Sequence, residues 1–104
     1  MEVIYFDKKI KGFVDGLNRI VAAKLFHKFE LLEQFGYKLG LPHTGPVAED
    51  VFELRVRGVV DVRIFYIFRE SRVILLHGFI KKTQKLPAGE LEKALHKRNK
   101  FDSI

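Results

Sequence analysis

The sequence predicts an α+β fold: one domain with an antiparallel sheet of about four strands, two N-terminal helices packed on one face, and a C-terminal helix. Three observations carry this reading. Helical spacing of apolar residues is confined to the stretches before residue 37 and after residue 86. Between them, period-two alternation recurs in three runs joined by short connections. The chain has 104 residues, 47% of them apolar and ten of them phenylalanine, which suffices for one core and leaves no room for a second domain.

Each element has a local reason. Val3-Ile4-Tyr5-Phe6 is β-branched and aromatic, and reads as a short strand. Asp7 can cap a helix whose apolar face is Ile10, Phe13, Val14 and Leu17, ending near Gly16. Asn18 can cap a second helix with Ala22, Leu25, Phe29 and Leu32 as its stripe, beside Val21 and Phe35, and Gly36 as its stop. Residues 38–50, with Gly40, Pro42, Gly45 and Pro46, read as a long loop.

The sheet follows. In 51–57, Phe52, Leu54 and Val56 alternate with Glu53, Arg55 and Arg57, and Gly58 marks a turn. In 61–69, Val62, Ile64, Tyr66 and Phe68 share one face while Asp61, Arg63, Phe65, Ile67 and Arg69 share the other. Glu70-Ser71 is a short connection to a third run, 72–80. Pro87 suits the first turn of a last helix with Leu91, Ala94 and Leu95 inward.

Composition excludes much chemistry. There is no cysteine, hence no disulfide, thiolate zinc site or cysteine nucleophile. His27, His43, His77 and His96 are scattered without ligand spacing, and no metal or other cofactor is expected. Apolar runs are too short for a membrane span, and charges at Glu2, Asp7, Lys8 and Lys9 are unlike a signal peptide. A soluble, cytoplasmic protein is expected.

The charge points to a polyanion. The net charge is +6, and residues 1–54 hold seven Lys/Arg against eight Asp/Glu. Residues 55–104 hold twelve against five, so the whole excess lies in the second half. Arg55 and Arg57 project from one strand to the same side, and Arg63 joins them if the next strand pairs through Gly58. Either an anion sits among these guanidiniums, or acids such as Glu53 and Asp61 partner them. The loop of Lys81, Lys82, Thr83, Gln84 and Lys85 is delivered to the same sheet edge. Phe65 and Tyr66 are nearby aromatics whose spacing reports core packing more than base stacking.

A basic, metal-free sheet suits binding or cutting RNA. Such cleavage uses the substrate's own 2′-hydroxyl against the adjacent phosphate. The protein must manage one proton at each end and stabilise charge on phosphorus. Arginine serves the last task, being permanently charged and bidentate. Lys81, Lys82 and His77 are the acid–base candidates, unranked by sequence.

The strands Phe52-Glu53-Leu54-Arg55-Val56-Arg57 and Val62-Arg63-Ile64-Phe65-Tyr66, with Leu75-Leu76-His77-Gly78-Phe79-Ile80-Lys81-Lys82-Thr83-Gln84-Lys85 and Pro87, resemble the phage-derived branch of the RelE/HigB toxin superfamily. The similarity spans nearly the whole chain, taken as one domain over residues 1–104, and includes Leu41-Pro42-His43. The resemblance implies a sheet with helices on one face. It also implies an mRNA endoribonuclease of a type II toxin–antitoxin system, often acting at the ribosome and neutralised by a helix-turn-helix antitoxin. By position, the family's basic residues fall on Arg55 and Arg57, on Arg63, and on Lys82 or Lys81; catalytic roles are expected for Arg55, Arg57, Arg63 and Lys82, and RNA contacts for Lys81, Lys85, Gln84, His77 and Tyr66. Two departures leave the acid–base role open. Ala88 and Gly89 stand where some RelE-type members have tyrosine, and Asp102 is the one acid near the end. Leu86 stands where threonine often caps the last helix, a loss worth about 1 kcal/mol. Two other readings fit the same basic face: a catalytically inert RNA- or ribosome-binding module, and a phage structural or regulatory protein.

Overall fold

Short polar residues open the helices where expected. The Asp7 carboxylate accepts from the Ile10 N–H at 3.0 Å, starting α1 (Lys8–Asp15) after the strand β1 (Glu2–Tyr5). Asn18 accepts from the Val21 N–H at 3.0 Å and starts α2 (Arg19–Phe35). Gly36, at φ +51°, takes the left-handed turn that ends α2 and leads into one turn of 3-10 helix, Gly36–Lys38. The computed structural model describes residues 1–85 and 87–103; Leu86, expected at the cap of the last helix, lies outside them, and the N-cap there is Pro87, with no side-chain cap bond.

The long loop expected over 38–50 contains a strand, β2 (Thr44–Ala48). It is short and lies at the sheet edge, where Pro46 has no inner ladder to break, and a register shift falls between Pro46 and Ala48. No alternation marks it, so periodicity missed it. β3 (Val51–Val56), β4 (Val62–Arg69) and β5 (Arg72–Ile80) form the expected meander. Glu70 and Ser71 both have positive φ, the two-residue turn that matches strand twist.

The sheet therefore has five strands in the order β1-β5-β4-β3-β2, not four, and it is mixed. β1 runs parallel to β5, with Val3 opposite Val73, while the other pairs are antiparallel. The two helices carry the chain from β1 across one face to the far edge, so β1 has no hairpin that would make it antiparallel.

Two cores result. Ile10 and Val14 of α1, with Leu25 and Leu32 of α2, pack on Leu54, Ile64, Tyr66 and Leu75. On the other face α3 (Ala88–Asp102) lays Leu91, Ala94 and Leu95 over Phe65, Ile67, Ile74 and Leu76. The expectation of helices on a single face is thus corrected. β4 is buried on both faces, and α3's short stripe covers the second one. A register shift in β5 between the partners of Phe65 and Tyr66 brings His77 and Phe79 onto the α3 side, opposite Phe65 and Arg63.

Candidate functional site

Pairing of β3 with β4 sets Arg55 directly opposite Arg63, not Arg57 opposite Arg63. Like charges facing across a ladder are destabilising unless something neutralises them. Glu53, two residues before Arg55 on the same face, does so. Its Oε1 accepts from Arg55 Nε at 2.8 Å and from Arg63 Nη1 at 2.7 Å. Arg63 also spans both oxygens of Asp61, donating through Nε at 2.8 Å and Nη2 at 3.0 Å. Arg63 is 4% exposed and Glu53 2%, so the centre of the network is nearly dry while Arg55 and Asp61 reach solvent. The Arg63 hydrogen bonds hold the Asp61 carboxyl below its ordinary value, against burial, and nearby Arg57 and Lys81 push it the same way.

The two arginines and two carboxylates sum to zero charge. The acid-partnered alternative thus describes Arg55 and Arg63, while the uncompensated charge belongs to their neighbours. Beside the network, Arg57, Lys81, Lys82, Thr83 and Gln84 line a cleft of about 490 Å³ whose floor is Asp61 and Arg63. Arg57 reaches it from the end of β3, while the loop after β5 brings the lysines. The Lys81 N–H donates to the Asp61 carbonyl at 2.7 Å and fastens that loop to the β3–β4 turn. Thr83 Oγ1 donates to the Lys85 carbonyl at 2.9 Å, closing the loop on itself. Among the described residues, neither Arg57, Lys81 nor Lys82 has a carboxylate within ion-pair distance. Lys85 is exposed and outside the lining.

Two sequence candidates lie elsewhere. Tyr66 is 1% exposed on the α1–α2 face, its hydroxyl 2.6 Å from Thr44 Oγ1 and its ring stacked on Phe52. The expectation that it meets RNA is therefore corrected: Tyr66 is a core residue, as its spacing also allowed. His77 Nε2 lies 2.6 Å from Glu90 Oε2 at the start of α3, with its ring stacked near Phe79. Burial lowers the imidazole's pKa against the opposing pull of Glu90, while His77 in turn helps keep Glu90 ionised. The pair is a neutral ring donating its Nε2–H to a carboxylate, and His77 lines a different hollow, with Lys93 and His96. Asp102 accepts from Arg69 at the opposite end of β4, about 20 Å from Arg63 at the rise of a strand.

Sequence reasoning did not gather Lys24, His27, Lys28 and His43. The structure brings Lys24, His27 and Lys28 of α2 against Arg55 and Arg57, and His43 against Lys28. Their helical spacing of three and four residues was the available signal.

Among the described residues, no three His, Asp or Glu side chains gather into a metal-binding group. Nor, among them, is any helix long and apolar enough to cross a membrane. A family model described as phage derived protein Gp49-like (DUF891) matches residues 12–99. No curated protein matches the chain.

Proposed function

From membership of the Gp49-like phage-derived family, to which the chain belongs and which is associated with RelE-like toxins, we propose that this protein is the toxin of a type II toxin–antitoxin pair and cuts mRNA without a metal ion. The observation that carries this reading is the cleft of Arg57, Lys81 and Lys82, none of which has a carboxylate within ion-pair distance among the described residues.

In this reading the scissile phosphate lies among Arg57, Lys81 and Lys82. The substrate's 2′-oxygen attacks phosphorus, the bond from phosphorus to the 5′-oxygen breaks, and a 2′,3′-cyclic phosphate forms. The 2′-hydroxyl proton is lost to solvent, and a lysine ammonium, from Lys82 or Lys81, protonates the departing 5′-oxygen. Arg57 offers the bidentate geometry that suits charge building on the phosphoryl oxygens. Arg63 and Arg55 act one step back: held by Glu53 and Asp61, they fix the floor and the β3–β4 turn that carries Arg57. Gln84 and Lys85 guide the strand. The substrate is mRNA in translation at the ribosome, in the cytoplasm, and the neutralising partner is a helix-turn-helix antitoxin.

A catalytically inert RNA- or ribosome-binding module is the second reading. It is favoured by one fact: among the described residues, the one carboxylate lining the cleft, Asp61, is already engaged by Arg63, and no imidazole lines it. Inducible expression in bacteria separates the two. Wild type should arrest growth and create new mRNA 5′ ends by primer extension, and Arg57→Gln with Lys82→Gln should abolish both. Soluble wild type that arrests growth without new ends supports the inert module.

A further inference from the structure

A second cleft, of about 320 Å³, adjoins the first and shares Arg57 with it. Lys24, His27 and Lys28 of α2 form one wall, and Pro42, Arg55 and Arg57 the other. Lys24, His27 and Lys28 stand at i, i+3 and i+4, the spacing that puts side chains on one helical face. Lys28 Nζ lies 2.8 Å from His43 Nδ1. An ammonium only donates, so Nδ1 accepts and His43 keeps its Nε2–H for another partner. Burial lowers the pKa of Lys28, and burial together with Lys28 and His27 lowers that of His43.

The composition of the walls is one-sided. None of the lining residues is acidic. Among the described residues, no carboxylate lies within ion-pair distance of Lys24, Lys28 or Arg57, and Arg55 alone is paired, with Glu53. A lysine half-withdrawn from water onto a neutral imidazole is a costly arrangement that a bound anion would stabilise. Arg57 lines both clefts, which sets them side by side at the β3–β4 turn.

We propose that this second cleft holds a backbone phosphate of the same RNA strand whose scissile phosphate occupies the first, so that the strand bends around Arg57. The inference rests on the reading of the first cleft as an RNA site. It assigns Lys24, Lys28 and His43 as strand-holding residues without a part in the chemistry. An acidic protein surface is the competing occupant, disfavoured because it offers no reason for the two clefts to lie side by side.

The test uses 2′-O-methyl RNA, which cannot be cut, in lengths of about three and about twelve nucleotides. Binding is followed by fluorescence anisotropy across salt concentrations for wild type, Lys24→Gln/Lys28→Gln, and Arg57→Gln/Lys82→Gln. For the longer oligomer, the α2 variant should lose about 0.7 from the slope of log K against log salt, the value for the one lost phosphate contact. For the short oligomer its affinity should match wild type, while the Arg57/Lys82 variant loses affinity for both. An unchanged slope for the α2 variant with the long oligomer overturns the second cleft and leaves the first standing. Wild type that binds neither oligomer overturns both.

Discussion

Replacing Glu53 by glutamine keeps the shape of the side chain and removes the charge that separates two opposed arginines. In the native protein, Glu53 Oε1 takes one hydrogen bond from each of Arg55 and Arg63, which face each other across the ladder. Breaking a buried ion pair by removing one partner costs roughly 3–5 kcal/mol. Here the loss is smaller, because Arg63 keeps both bonds to Asp61 and the Arg55 side chain is a quarter exposed. The expected destabilisation is about 2–3 kcal/mol. For a domain of this size that lowers the melting temperature by roughly 10–15 °C. Thermal and urea unfolding of wild type, Glu53→Gln, Arg63→Gln and the double variant give the coupling between the two sites, expected to be above about 1 kcal/mol. A Glu53→Gln protein that melts within about 2 °C of wild type would refute the claim that this carboxylate neutralises the pair. The same geometry warns against Arg63→Ala as a test of catalysis. It leaves a buried Glu53 with Arg55 alone and takes both bonds from Asp61, so lost activity would mix with lost stability, whereas Arg57 has no carboxylate within ion-pair distance among the described residues.

Three further outcomes follow from the packing and the titrating groups. Tyr66→Phe removes only a buried hydroxyl contact to Thr44, so stability should fall by about 1 kcal/mol in urea unfolding with RNA cleavage unchanged; a loss of cleavage would return Tyr66 to the site. Gly78→Ala places a Cβ within 2.6 Å of the Phe13 ring and 2.8 Å of Ile64, and should cost about 1–3 kcal/mol by displacing α1 from β5; a neutral effect on the urea midpoint would contradict that close approach. Finally, His77 has a folded-state pKa below its ordinary value, through burial, so the unfolded chain takes up its proton first. Its stability contribution is complete above about pH 6.5 and is lost as pH falls through the folded value. Asp61 and Asp102, lowered chiefly by hydrogen bonds from Arg63 and Arg69, add losses only below about pH 4. His77→Gln should flatten the upper part of the urea midpoint against pH, apart from the share of His43, and leave the lower part intact apart from the share of Glu90, which His77 helps keep ionised.

What the chain disclosed in advance depended on period. The helix caps at Asp7 and Asn18, the stops at Gly16 and Gly36, and the alternating faces of β4 are local patterns and were legible. β2 was not, because Gly45 and Pro46 interrupt it and no alternation runs through Thr44–Ala48, and it is held as a strand by Phe52, Glu53 and Leu54 opposite it. The parallel placement of β1 depends on where two helices set the chain down, which no residue of β1 encodes. At the site, the sequence put the arginines on one face correctly, yet register decided which of them meet. A turn centred one residue differently would have paired Arg57 with Arg63 and set Arg55 opposite Phe65. Charge counting alone also could not say that Glu53 and Asp61 cancel two of the guanidiniums and shift the excess to Arg57, Lys81 and Lys82.

The central claim is that this cleft lets an RNA's own 2′-hydroxyl attack the phosphate held there. The chemistry of the cut ends tests it most directly. mRNA recovered from cells expressing the wild-type protein should carry 5′-hydroxyl ends matched by 2′,3′-cyclic or 3′-phosphate ends, absent with Arg57→Gln/Lys82→Gln. Fragments ending in 5′-phosphate and 3′-hydroxyl, or equal cutting by the variant, would contradict the account.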